Sequence, residues 1–231
     1  MAHPGFLTFD GRRIAYHDTG GDGPVLLALH GHFGHGRMFD RLAESLAPHW
    51  RVVAPDQRGH GRSDPGPDYD REGYVADAAR LVEALDLAPV VVLGHSLGGV
   101  NAYQLAARRP DLVRAAIVED APAQLSERPD FDAWPGLPPR WIAPETGLAE
   151  MNRSRRLLAG DHWPDWLAGD HRVLLLHGLE SDTLPTAQAR EMASRRPNTW
   201  LVEFPGAGHT IHDDDPEGFA LAVASFLEEL G

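Results

Sequence analysis

The sequence predicts an α/β fold: a mostly parallel sheet with helices on both faces and a small inserted lid. Three observations carry this expectation. Short apolar, β-rich runs alternate with helical patterns along most of the chain. The most apolar runs, 25–29 and 90–93, are continuous rather than alternating, as in strands covered on both faces. One long stretch, 121–166, has no strand–helix beat at all.

Taken in order, residues 12–19 read as a strand and 25–30 as a second, fully buried one. Residues 38–47 have helical spacing and stop at Pro48. A strand at 51–54 runs into a Gly-rich turn. Residues 74–85 place Ala78, Leu81, Val82 and Leu85 on one face, the mark of an amphipathic helix. The next strand is 90–93 and the next helix 97–107, which ends before Pro110. Strands at 114–119 and 173–176, a helix at 186–194 and a strand at 200–204 follow. In the last helix Asp215 is the expected N-cap, with Pro216 and Glu217 in the first turn. Phe219, Leu221, Val223, Phe226 and Leu227 form its apolar face.

Composition narrows the function. The chain has 231 residues, 42% of them hydrophobic, enough for one large domain or one domain with an insertion. It has no Cys, which excludes disulfides, thiolate metal ligands and a cysteine nucleophile. All 21 basic residues are Arg, so Schiff-base chemistry and a P-loop lysine are excluded too. A formal charge of −13 would repel phosphates, so neither nucleic acid nor an anionic membrane is expected as a partner. Residues 1–5 lack the basic start and apolar run of a signal peptide, and the apolar runs are too short to cross a bilayer. A cytoplasmic location is expected, and oligomeric state is not legible.

Residues 121–166 are long for a plain connection. Four of the six Trp lie there, Trp134, Trp141, Trp163 and Trp166, and this aromatic content argues against disorder. The stretch is read as a lid, with 1–120 and 167–231 as the core domain. Phe33, Trp134, Trp141 and Trp163 are expected to line a substrate pocket; the alternative is an aromatic-rich piece of ordinary core.

The chemistry begins at Gly94-His95-Ser96-Leu97-Gly98, between a strand and a helix. The chain must turn sharply there, which strains Ser96 and projects its hydroxyl at the carboxyl ends of the strands, where open parallel sheets bind ligands. The Leu97 N–H, at the helix N-terminus, points at any oxyanion formed by attack. A phosphate-binding turn is the competing reading, but it needs a Gly at or beside 96 and a Lys or Arg close by. A serine also needs a base. Of the 13 His, His209 is the best placed, in Gly206-Ala207-Gly208-His209 after the last strand. His212 and the acidic run 213–215 read instead as a solvated loop and helix cap.

These residues together resemble the α/β-hydrolase family over nearly the whole chain outside the lid. Leu29-His30-Gly31-His32-Phe33-Gly34, then Asp56-Gln57-Arg58-Gly59-His60-Gly61-Arg62-Ser63-Asp64, then Gly94-His95-Ser96-Leu97-Gly98-Gly99, then Gly208-His209 occur in the family's order. The resemblance implies an eight-stranded sheet, His32 as the second oxyanion-hole N–H beside Leu97, and an architectural role for 56–64. Many members carry the triad acid three residues after a Gly in the loop matching 178–182; here Ser181 holds that place and Asp182 comes one later. A subset draws its acid from the end of the preceding strand, which Glu119-Asp120-Ala121-Pro122 resembles. Asp120 is preferred, with Asp182 as the alternative.

The expected chemistry is hydrolysis of a small ester or lactone through an acyl-enzyme on Ser96, with His209 as general base and no cofactor. A nucleophilic Asp is excluded because position 96 is Ser. Carbon–carbon hydrolysis of a diketone-like substrate and a non-catalytic small-ligand receptor remain open. His30, His32 and His35 imitate a metal-binding spacing, but no Asp precedes the third and no distal ligand set follows, so no metal is expected.

Overall fold

The computed structural model describes residues 3–66, 69–125 and 159–231. Its centre is an eight-stranded sheet in the order β1-β2-β4-β3-β5-β6-β9-β10. The strands are β1 (His3–Phe9), β2 (Arg12–Asp18), β3 (Val25–Leu29), β4 (Arg51–Pro55), β5 (Val90–His95), β6 (Val113–Glu119), β9 (Arg172–Gly178) and β10 (Thr199–Phe204). β2 is antiparallel to both its neighbours and every pairing from β4 to β10 is parallel. A short antiparallel pair, β7 (Gln124–Leu125) with β8 (Gly160–Asp161), stands apart from it. The helices are α1 (Asp40–Leu46), α2 (Arg71–Ala84), α3 (Leu97–Arg108), α4 (Trp163–Leu167), α5 (Thr186–Arg195), α6 (Ile211–Asp214) and α7 (Pro216–Glu229).

Alternation of side chains along each buried strand divides the core in two. Leu27, Leu29, Val90, Val92, Ala116, Val118, Val173 and Leu175 face one side, with Ala78, Leu81 and Val82 of α2, Val100 and Leu105 of α3, and Met192 of α5. Leu26, Ala28, Val91, Leu93, Ala115, Ile117, Leu174 and Leu176 face the other, with Leu42 and Leu46 of α1 and Phe219, Val223 and Phe226 of α7. Covering both faces explains the continuous apolar runs.

Side chains at both ends of the expected lid are buried. Ala121 and Ala123 are fully buried, and so is Trp166, whose Nε1 donates to the Met192 carbonyl at 3.0 Å. Trp163, expected to line a substrate pocket, opens α4. Its ring lies 4.1 Å from the Arg195 guanidinium, and Asp165 of the same helix accepts from Gln104 and Arg108. Those residues sit about 12 Å or more along α3 from Ser96. The rest of the lid, with Trp134 and Trp141, lies outside the described residues.

Candidate active site

Four neighbouring strands, β5, β6, β9 and β10, deliver the site from their carboxyl ends. Backbone bonds lock those ends together: the Ser96 N–H donates to Glu119 O at 3.0 Å, that of Asp120 to Leu176 O at 2.9 Å, and that of Glu180 to Ala207 O at 3.0 Å. Ser96 lies between β5 and α3 with φ 54° and ψ −116°, a conformation a side chain adopts only under strain. The bend is tight because its limbs nearly touch. A Cβ on Gly94 would lie 2.0 Å from the Gly98 carbonyl oxygen, and one on Gly98 2.0 Å from that of Leu29. Gly31, the residue before His32, passes so close that a Cβ there would be 3.2 Å from Ser96 Cβ. Leu97 opens α3, where a helix N–H has no intrahelical acceptor.

His209 follows β10 and is half-buried, its side chain 26% accessible. Its Nδ1 lies 2.7 Å from Oδ2 of Asp120, which is wholly buried one residue past β6. Burial works to raise the Asp120 pKa, but hydrogen bonds from His177, His209 and Ser181 outweigh it and hold the carboxyl below its usual range. Asp182 lies in the exposed loop after β9, with Thr183 Oγ1 3.4 Å from its carboxylate. The Ser96 hydroxyl has no hydrogen bond among the described residues.

His95, the residue before Ser96, reaches His209 directly. Its Nε2 donates to the His209 carbonyl at 2.8 Å, and the two rings are 4.6 Å apart. Burial drives the His95 pKa down to about 3, so the ring is neutral. Behind it Glu119 accepts from both the backbone N–H and Nδ1 of His212, at 2.9 and 2.7 Å. Burial opposes the charge on each; the attraction between them prevails, lowering the Glu119 pKa and raising that of His212. His212 is therefore not in a solvated loop: it is 8% exposed and is the second residue of the short helix α6. The adjacent acids Glu119-Asp120 end in two separate carboxylate–imidazole pairs, with His212 and His209 respectively. His177, Ser181 and Thr186, also around Asp120, carried no motif.

His95, Glu119 and His212 are the one group of three among the described residues whose ligand-type atoms come within 4.8 Å of one another. Glu119 and His212 Nδ1 bond each other and His95 Nε2 bonds the His209 carbonyl, while His95 Nδ1 and His212 Nε2 are buried with no hydrogen-bond partner among the described residues. In the other His-rich segment, His30 Nδ1 donates to Gly31 O at 2.7 Å and its Nε2 accepts from Gln57 N at 2.9 Å. Its neighbour Phe33, at φ 63°, packs with Tyr69, Tyr74 and Leu97. In the 56–64 turn, Asp56 accepts from Gly36 N and Arg62 N while Arg58 binds Asp77.

Comparison with known proteins supplies the family. The family described as alpha/beta hydrolase fold matches residues 24–143, just over half of the chain. The chain is 30% identical over 251 residues to the 2-(acetamidomethylene)succinate hydrolase of Mesorhizobium japonicum, covering 90% of this chain and 89% of that one. It is 28% identical over 260 residues to an sn-1-specific diacylglycerol lipase of Mus musculus, covering 93% and 85%. Among solved structures, a hydrolase from Pseudomonas aeruginosa superposes with a TM-score of 0.86 at 23% identity over 97% of this chain and 98% of that one. Sheet order, the bend at Ser96 and full-length relatives agree: the chain belongs to the alpha/beta hydrolase fold family, and it is a hydrolase.

Proposed function

We propose that the protein is a serine hydrolase of small carboxylic esters or lactones. Ser96 Oγ attacks the carbonyl carbon while His209 Nε2 takes its proton. The Leu97 and His32 N–H groups receive the oxyanion, and His209 returns the proton to the departing alkoxide. Water, deprotonated by the same ring, then releases the acid from Ser96. Asp120 fixes the His209 tautomer by accepting from Nδ1 and steadies the imidazolium formed in each half-reaction.

The observations that carry this reading are a serine strained at a strand–helix bend, its neighbour His95 bonded to the His209 carbonyl, and the His209 imidazole held at 2.7 Å by a buried, ionised carboxylate. The curated relatives support the reaction class, one of them through its name as a lipase. Pre-steady-state hydrolysis of a p-nitrophenyl ester tests it, with lactones and diketones assayed beside it. The expected result is a stoichiometric burst, absent in Ser96→Ala, with turnover of an ester or lactone. Turnover of diketones alone would move the assignment to carbon–carbon hydrolysis, and ligand binding without turnover to a receptor.

A further inference from the structure

Asp120 serves two imidazoles. While Oδ2 accepts from His209, Oδ1 lies 3.2 Å from Nδ1 of His177, in β9, a ring with no solvent exposure. The other nitrogen of His177 lies 2.9 Å from Oγ1 of Thr186, the first residue of α5. An ionised carboxylate only accepts, so Nδ1 carries a proton; in the neutral ring Nε2 then accepts the Thr186 hydroxyl. A third donor completes the cradle. Ser181 Oγ takes the N–H groups of Thr183 and Leu184, at 3.1 and 3.4 Å, leaving its own proton for Asp120 Oδ2. Asp120 itself sits at φ 45°, outside the strand that delivers it, so β6 geometry alone does not aim its carboxylate.

Resting on the serine-hydrolase reading, we propose that His177 is a positioning residue: set by Thr186, it holds one oxygen of Asp120 so that the other faces His209. The carboxylate end is pinned from β9 and α5, on the side away from His209. Loss of the His177 donor frees the carboxylate to rotate about its Cβ–Cγ bond and to share Oδ2 between Ser181 and the vacated side. The His209 ring then loses its fixed orientation. Misplacement of a catalytic group on this scale costs about 10- to 100-fold in rate.

The test uses His177→Leu, His177→Asn and Thr186→Val, each alone and in an Asp120→Asn background. Steady-state kcat and KM on a p-nitrophenyl ester are read together with the rate of fluorophosphonate labelling. His177→Leu is expected to lower kcat and labelling about 10- to 100-fold with KM little changed. His177→Asn returns an amide N–H to the Nδ1 position and should recover much of that loss; Thr186→Val should cost less than His177→Leu. In the Asp120→Asn background each change should cost less than about twofold, because the action runs through Asp120. Thr186 is only partly buried, so its variant gives a folded protein to measure if His177→Leu does not fold. A wild-type chain that neither turns over nor labels overturns the parent reading. A wild-type chain that labels at Ser96, with His177→Leu and Thr186→Val equally fast or with costs that persist beside Asp120→Asn, overturns this proposal alone.

Discussion

Asp120 and Asp182 differ in everything but their side chain. Asp120 is buried and accepts from two imidazoles and a hydroxyl; Asp182 sits in an exposed loop. Asp120→Asn keeps the shape but presents an amide that cannot hold the required His209 tautomer, and kcat should fall by about 10⁴, the size of loss recorded for such a change in a serine protease triad. Asp182→Ala should leave kcat/KM within about threefold. Steady-state kinetics on one ester decides it, and a larger loss for Asp182→Ala would transfer the acid role. The positions of Ser96 after β5 and His209 after β10 were legible because each stands in a motif whose placement between elements has a mechanical meaning. His212 was not, because its partner Glu119 is 93 residues away and three aspartates follow it, which reads as solvated. Only the sheet brings the end of β6 against α6.

At the level of elements, the bend between β5 and α3 makes Ser96 accessible, and its cost is borne by Gly98. An alanine there would set a methyl carbon 2.0 Å from the Leu29 carbonyl oxygen, backbone that cannot swing away. Gly98→Ala should therefore destabilise the protein by more than about 3 kcal/mol, read as a lower urea midpoint, or prevent soluble accumulation. An unchanged midpoint would mean that the elbow is looser than described. The elements with continuous apolar runs were recognisable from sequence because burial on both faces leaves no polar positions. β1 was not: His3-Pro4-Gly5 is poor strand material, tolerated because β1 is an edge strand with few buried positions. Its signal was Asp10-Gly11, whose φ values of 52° and 78° form the two-residue hairpin turn. Helix α2 begins three residues before the expected 74 because Asp70 caps it by accepting from Gly73 N.

For the whole molecule, the distribution of histidines sets acid stability. Burial holds the His60 pKa at about 4 and that of His95 at about 3, and pushes His30 well below its ordinary value. These groups bind protons more readily unfolded than folded, so the stability they contribute is complete above about pH 6.5 and is lost as pH falls toward 4. Each pH unit within that interval removes about 1.4 kcal/mol per histidine. His212 acts in the opposite sense: its raised pKa adds stability below about 6.5 that is lost as pH rises through the folded value. The depressed pKa values of Glu119 and Asp120 contribute stability that is lost only as pH falls below their ordinary values of 4.5 and 3.8. Calorimetry from pH 7 to pH 5 should show Tm falling by at least about 5 °C. A flat profile would mean that these rings are hydrated in the folded state.

The proposed hydrolysis requires the hydroxyl of Ser96 to be an activated nucleophile. Peptide mass spectrometry after exposure to a fluorophosphonate measures this most directly. The expected result is one adduct per chain, on the peptide carrying Ser96, formed far more slowly in His209→Ala. No adduct, or an adduct on another serine at the same rate with and without His209, would contradict it.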